Sequence, residues 1–192
     1  AATPPIEALR LILSLAASNY DSSRKKYFKI MTNDVSRAYF YAPIQEGQHI
    51  YVKLPPEDIL PGGENMCGKL NFSMHGTRRA ATNWQTHYTK VLIQNGFVTG
   101  TANNCTFHNG SKGIYCMVHG DDFVAVGPGK EVKRLETLLA SAYKIKTETQ
   151  GTGKEEARVR NFLERANVDR RTEIRFFRQR PEATSELECG HL

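Results

Sequence analysis

The stretch NNCTFHNGSKGIYCMVHGDDFVAVG, residues 103–127, decides how the chain is read. Asn109-Gly110 is the strongest short-range hairpin cue, and it separates two strand-like runs, CTFH and IYCMV. The second run continues through His119-Gly120-Asp121-Asp122 into FVAV, another short apolar strand. Two adjacent carboxylates therefore sit in a tight turn between strands that read as buried. Carboxylates so placed repel one another, and a hard divalent cation is their natural partner. Mg²⁺ in particular is held by one or two carboxylates, several waters and substrate phosphates. A third carboxylate at the end of a neighbouring strand would complete a two-metal site, with ions ~3.5–4 Å apart, suited to in-line phosphoryl displacement. Asp34, in the apolar and β-branched stretch TNDVSRAYF (residues 32–40), is the candidate. Taken alone, an Asp-Asp pair is ordinary turn chemistry.

Working outward, the spacing predicts helices and strands in irregular alternation. Thr3-Pro4-Pro5 followed by IEALRLILSLAAS reads as a capped helix with Pro in its first turn. NYDSSRKK (residues 19–26) is loop-like, YFKIM runs into TNDVSRAYF as a buried strand, and HIYVKL is a second strand candidate. LPPEDILPGGENM must be a loop. From Gly76 to Asn95 the pattern turns helical, with Ala81, Trp84, Tyr88, Val91 and Leu92 on one stripe and Gly96 placed for the C-terminal cap. GPGKEVKRLETLLASAY is an amphipathic helix burying Val132, Leu135, Leu138, Leu139 and Ala142, and YKIKTE is the closing strand. Beyond Gly151 the sequence is charged and Arg-rich, with one strand-like patch, TEIRFF. This order implies an α+β fold rather than a doubly wound parallel sheet. It divides the chain into residues 1–150, a folded domain, and residues 151–192, a charged C-terminal extension.

At 192 residues, the chain exceeds the ~150-residue domain prior and is long enough to bury a sizeable core. Lys and Arg number 26 against 20 Asp and Glu, a net charge of +6. The excess lies almost wholly in the first 150 residues, which makes a polyanion a plausible partner. No run approaches the ~18 apolar residues of a membrane span, and AATPPIEALR has neither the basic flank nor the apolar core of a secretion signal. The expectation is an intracellular protein that is not secreted and does not engage a membrane, with Cys67, Cys105, Cys116 and Cys189 reduced. The start without Met reads as a piece of something longer.

Two further blocks join the hairpin that carries the Asp-Asp turn. DVSRAYF, then CGKLNFSMHGTRRAATNW, then the quoted hairpin follow one another in the order and spacing of a reverse transcriptase, and from Pro4 to Tyr143 the chain resembles the copia-type reverse transcriptases of long-terminal-repeat retrotransposons. The resemblance implies a polymerase palm, an antiparallel sheet backed by helices, with the fingers truncated. It implies RNA-directed DNA polymerase activity, a nucleotidyl transfer to a primer 3′-hydroxyl with two Mg²⁺ ions. Asp34 and Asp121 would be the principal metal ligands and Asp122 the supporting carboxylate. Tyr39 would be the sugar gate, excluding a 2′-hydroxyl by volume, where polymerases that copy RNA into RNA resemble a pattern with a second Asp. His75, Gly76, Arg78 and Arg79 would bind the nucleotide, Gly76 by close backbone approach and the arginines through phosphates. Implied partners are an RNA or DNA template with its primer, deoxynucleoside triphosphates, and the rest of a polyprotein carrying ribonuclease H and integrase.

The chain departs from that pattern in two places. His119-Gly120 stand where the family has an aromatic followed by a small apolar residue. Met74-His75-Gly76-Thr77-Arg78-Arg79-Ala80-Ala81 replaces its Leu-Tyr-Gly-Leu-Lys-Gln-Ala-Pro. A second reading is therefore a catalytically inactive retroelement remnant with weak, salt-sensitive nucleic-acid affinity. Zinc is a poorer reading: Cys105 and His108, like Cys116 and His119, are three apart on strands and face opposite ways. Gly127–Lys130 and Gly151–Lys154 lack the frame of a phosphate loop. Lys144 and Lys146 could serve near the site as proton donors to pyrophosphate but read rather as solvated, and Trp84 reads as core.

Overall fold

Residues 3–21, 26–63, 65–151, 166–168 and 174–176 are described in the computed structural model of the chain. In chain order these form α1 (Ile6–Ser18), β1 (Tyr20–Asp21), β2 (Lys26–Tyr27), β3 (Lys29–Val35), a 3₁₀ turn (Ala38–Tyr41), β4 (Tyr51–Lys53), a second 3₁₀ turn (Pro56–Asp58) and β5 (Cys67–Lys69). There follow α2 (Ala80–Gln94), β6 (Val98–Thr99), β7 (Thr106–Asn109), β8 (Ile114–His119), β9 (Asp122–Gly127), α3 (Gly129–Ala142), β10 (Ile145–Gln150), β11 (Ala166–Val168) and β12 (Ile174–Phe176). The fold is α+β, as the element order implied. A six-stranded antiparallel sheet, in the order β10-β3-β9-β8-β7-β6, carries the domain, and β4 and β5 form a separate two-stranded ribbon.

The sheet is covered on both faces, which explains why β8 and β9 read as continuous apolar runs rather than alternating ones. On β9, Phe123 and Ala125 enter a core with Met31, Val35, Cys116 and Val118 that α2 and α3 close with Trp84, Tyr88, Leu92, Val132, Leu135 and Leu139. The alternate residues Val124 and Val126, with Ile30 and Met117, face α1 through Ile12, Leu13 and Ala16. Even-numbered positions of β3 and β9 thus belong to the α1 face and odd-numbered ones to the α2–α3 face.

Several boundaries differ from the sequence reading, each for a local reason. Helix α1 starts after Pro5 with no side-chain cap, so Thr3 does not cap it. The run TNDVSRAYF is not one strand. Arg37 takes a left-handed conformation (φ 57°), and the chain turns there into the 3₁₀ segment that holds Tyr39 and Phe40. Helix α2 begins at Ala80, four residues later than Gly76. Gly76 has φ 82° and lies in a turn where the Thr77 N–H and hydroxyl both donate to the Met74 carbonyl. Gly96 (φ 83°) follows the end of α2 in the cap position expected of it. NYDSSRKK holds β1 and the first residue of β2; β5 and β6 are further strands that the sequence pattern does not mark. TEIRFF contains β12, which pairs with β11; the rest of the stretch from 152 onward, with Cys189, lies outside the described residues. Cys67, Cys105 and Cys116 are free thiols, and no helix among the described residues is long and apolar enough to cross a membrane.

The placement of α1 is open to direct test. Leu13 is fully buried and Leu11 is 61% exposed. Replacing Leu13 by Ala is expected to cost about 2–5 kcal/mol, the range for a buried Leu that leaves a cavity. Leu11→Ala should stay within about 0.5 kcal/mol. Chemical denaturation of the two variants checks this, and equal losses would contradict the α1 face.

Candidate active site at the hairpin tip

The turn between β8 and β9 consists of Gly120 and Asp121, flanked by the cross-strand pair His119 and Asp122. Gly120 has φ 64°, and Asp121 is not among the positive-φ residues. That combination is the type II′ hairpin turn, which calls for glycine at its first central position. The Gly120 departure is thus what this turn requires. Added side-chain volume would meet nothing within 4 Å, so the constraint is backbone conformation and not space.

Two hydrogen bonds hold the tip. The Val35 N–H donates to the Asp121 carbonyl at 3.1 Å, carrying the β3–β9 ladder up to the turn. The Trp84 indole N–H donates to the Gly120 carbonyl at 2.8 Å from the far side of the sheet. On the other flank of β3, the Ser36 N–H donates to the Lys144 carbonyl at 2.9 Å. The end of the strand bearing Asp34 is therefore gripped on both sides.

Register then determines which side chains meet. Asp34 lies directly opposite Asp122, Lys146 of β10 lies opposite Asp34, and His119 lies opposite Asp122. Directly opposed residues in a sheet project to the same face, so Lys146, Asp34, Asp122 and His119 form one row across four strands. The row lies on the α1 face, beyond the level of Val124 and Met117 that α1 covers. Lys146, Asp34 and His119 are exposed and Asp122 is half-buried, with exposed Asp121 beside it in the turn. Lys146 could be weighed from the sequence only as a lysine near the acids and His119 only as a departure before the Asp pair; their place in the row depends on strand pairing. Cys105 and Cys116 are buried while His108 and His119 are exposed, the opposed facing that counted against zinc. Among the described residues, no three His, Cys, Asp or Glu side chains converge to cage a metal ion.

Electrostatics marks Asp122 as the strained member. Its carboxyl is pushed up to about 6, first by burial, then by Asp121 and Asp34, with His119 pulling the other way. Directly opposed like charges are destabilising in a sheet, and a bound cation would relieve them.

The nucleotide-segment residues form a second cluster. Tyr39 is half-buried and meets His75 edge to face, ring centroids 4.6 Å apart, with Phe40 at 5.8 Å from the same imidazole. Arg78 and Arg79 line an open groove of about 680 Å³ with Thr77 and the loop Gln45–Ile50. Helix α2 joins the two clusters. Its Asn83 donates to the Ser73 hydroxyl at 3.0 Å and to the groove residue Gln48 at 3.5 Å, and its Trp84 reaches the acid turn. Trp84 is buried in the core as its helical stripe implied. The bond to Gly120 is an addition no sequence pattern carried.

Because Asp122 binds its proton more tightly in the folded chain than in the unfolded one, its contribution to stability is present below pH ~4 and is lost as pH rises through about 6. Asp122→Asn is therefore expected to raise the stability of the metal-free chain at pH 7.5 by about 1 kcal/mol, the full shift being discounted for a half-exposed group. That gain should vanish near pH 4. Thermal unfolding of both proteins across this range checks it, and a gain independent of pH would contradict the repulsion.

Comparison with known proteins bears on the same segments. The sequence profile of the reverse transcriptase (RNA-dependent DNA polymerase) family matches residues 3–154. The retrovirus-related Pol polyprotein from transposon TNT 1-94 of Nicotiana tabacum is 24% identical over 143 residues, 72% of this chain and 10% of that polyprotein. The chain thus spans about a tenth of the length of that relative. Since the family match runs over most of the sequence and takes in every block from DVSRAYF to the Asp-Asp turn, the chain belongs to the reverse transcriptase (RNA-dependent DNA polymerase) family.

Proposed function

We propose that this chain is the palm of an RNA-directed DNA polymerase, which extends a primer 3′-hydroxyl with deoxynucleotides along an RNA or DNA template. The observation that carries the reading is the register that sets Asp34 opposite Asp122, with Asp121 in the adjoining turn. Three carboxylates at one open sheet end form an all-oxygen donor set suited to a hard cation. An arrangement that is not a closed cage suits Mg²⁺, which keeps water and takes substrate phosphates as ligands. Asp34 and Asp121 would hold two such ions, with Asp122 in support. When bound, the ions supply the charge that activates the attacking oxygen and stabilises the leaving one.

The chain's own residues account for the rest of the reaction by position and electrostatics, which dominate phosphoryl transfer. The β3–β9 ladder and the type II′ turn fix the carboxylates before substrate arrives. Arg78 and Arg79 line the groove, where their guanidinium groups would pair with nucleotide phosphates. Tyr39, backed by His75, places a bulky ring near the sugar and selects the deoxy form by volume. Lys146 brings positive charge to one end of the row, and His119 stands at the other.

The alternative is an inactive remnant with weak nucleic-acid affinity, favoured by the altered segment Met74–Ala81. Primer extension separates the two. With Mg²⁺, a DNA primer and an RNA template, a version extended upstream to restore the fingers is expected to synthesise DNA. The 192-residue chain alone is expected to be inactive. Asp121→Asn in the extended version should lower the rate by at least about 100-fold, the scale of losing a principal electrostatic contact in the transition state. Synthesis that survives this substitution would remove the carboxylate assignment, and absence of synthesis in the extended wild type would favour the remnant.

Tyr39→Ala in the active version should raise incorporation of ribonucleotides relative to deoxynucleotides. Competition between the two nucleotide types gives the ratio directly, and an unchanged ratio would reduce Tyr39 to packing against His75.

A further inference from the structure

Trp84 is 1% exposed and meets Tyr88, Phe123 and Tyr143 edge to face, ring centroids 5.4, 6.4 and 5.1 Å away. A phenyl ring could share most of that packing. The indole N–H does something a phenyl ring cannot: it reaches through the end of the sheet to the Gly120 carbonyl at 2.8 Å. The next carbonyl, that of Asp121, accepts from Val35. Two consecutive peptides of the turn are thus held from opposite directions, one by α2 and the other by the strand that bears Asp34. A buried indole N–H needs a partner, so the turn can move away from this position only by breaking that bond or shifting the core.

Resting on the reading of Asp34, Asp121 and Asp122 as the cation-holding acids, we propose that Trp84 is a positioning residue, whose indole N–H acts through the Gly120 carbonyl to hold Asp121 in place beside Asp34. The bond also ties the turn to α2, the helix that follows Arg79 and whose Asn83 braces the groove residue Gln48. The acid turn and the arginine groove therefore share one rigid support.

The chain has a single tryptophan, so ¹⁵N-labelled protein shows one indole N–H resonance. Mg²⁺ alone is expected to move that resonance saturably, and Asp121→Asn to abolish the movement. Trp84→Phe keeps a ring in the core and removes the donor. It is expected to retain the circular dichroism of the fold while weakening Mn²⁺ binding about tenfold, the lower end of losses on removing a group that orients a metal ligand. The binding is read from the electron spin resonance of free Mn²⁺. Should Trp84→Phe unfold, the benzothienyl analogue of tryptophan, which puts sulfur in place of the N–H within the same shape, replaces it in the titration.

An indole resonance that stays still while Asp121-dependent binding proceeds overturns the positioning role and leaves the reading of the acids standing. Unchanged affinity in the donorless variant has the same meaning. Mn²⁺ binding that is absent, or equal in wild type and Asp121→Asn, overturns the reading of the acids and the positioning role with it.

Discussion

The antiparallel ladder between β3 and β9 pairs Asp34 with Asp122 at its open end and Lys29 with Gly127 at the other. Side chains alternate along a strand, so a slip of one residue would turn every residue of β3 to the opposite face. Asp34 would then enter the apolar layer under α2 and α3, where an unpaired carboxylate is prohibitively costly. Met31 and Val35, both fully buried, would move out to the α1 face. The hydrophobic demand of these residues thus enforces the same register that brings the acids together. The site costs the fold the burial of Asp122 and, after it, repulsion from Asp121 and Asp34, both visible in the upward shift of Asp122, and the two-sided core absorbs that cost.

The elements around the ladder divide the work by rigidity. Carboxylates are mounted on strand ends and on a turn whose two carbonyls are each bonded. Tyr39 and His75 lie on short irregular segments, the 3₁₀ turn after Arg37 and the turn around Gly76. The arginines sit in the last turn before α2. The three acids are thereby on hydrogen-bonded strand ends and their turn, while Tyr39, His75 and the two arginines are on connections. Arg37, a non-glycine residue in the left-handed region, marks the place where one type of support passes to the other.

Much of this was legible in the residues themselves. Asn109-Gly110 announced the β7–β8 hairpin, the stripe Trp84, Tyr88 and Leu92 announced the inner face of α2, and Gly96 announced its end. Those signals are local: a positive φ or a 3.6-residue period needs no distant partner to be read. The misses share a cause. TNDVSRAYF looked like one strand because β-branched and aromatic residues fit a sheet anywhere, and nothing local revealed the reversal at Arg37. Gly76 looked like the start of α2 although the apolar stripe begins only at Ala81, because the polar GTRR between them has no period that separates a turn from a first helical turn. β5 and β6 were missed since three-residue and two-residue strands carry no period at all. For the candidate site, type and context singled out Asp34, Asp121 and Asp122 and brought Lys146 into consideration, while only register sets Lys146 and His119 in one row with Asp34 and Asp122.

By itself the sequence determined the three main helices, the central hairpin strands as buried apolar runs, the tight turn that carries two adjacent acids, and the family. All of these follow from propensity, periodicity and motif order along the chain. Tertiary structure alone decided that Lys146, Asp34, Asp122 and His119 stand in one row and that the Trp84 indole grips Gly120. Cross-strand register and helix-to-turn contact join residues far apart in the chain, and they are selected by burying Met31, Val35 and Phe123 together, a packing requirement that no local stretch expresses.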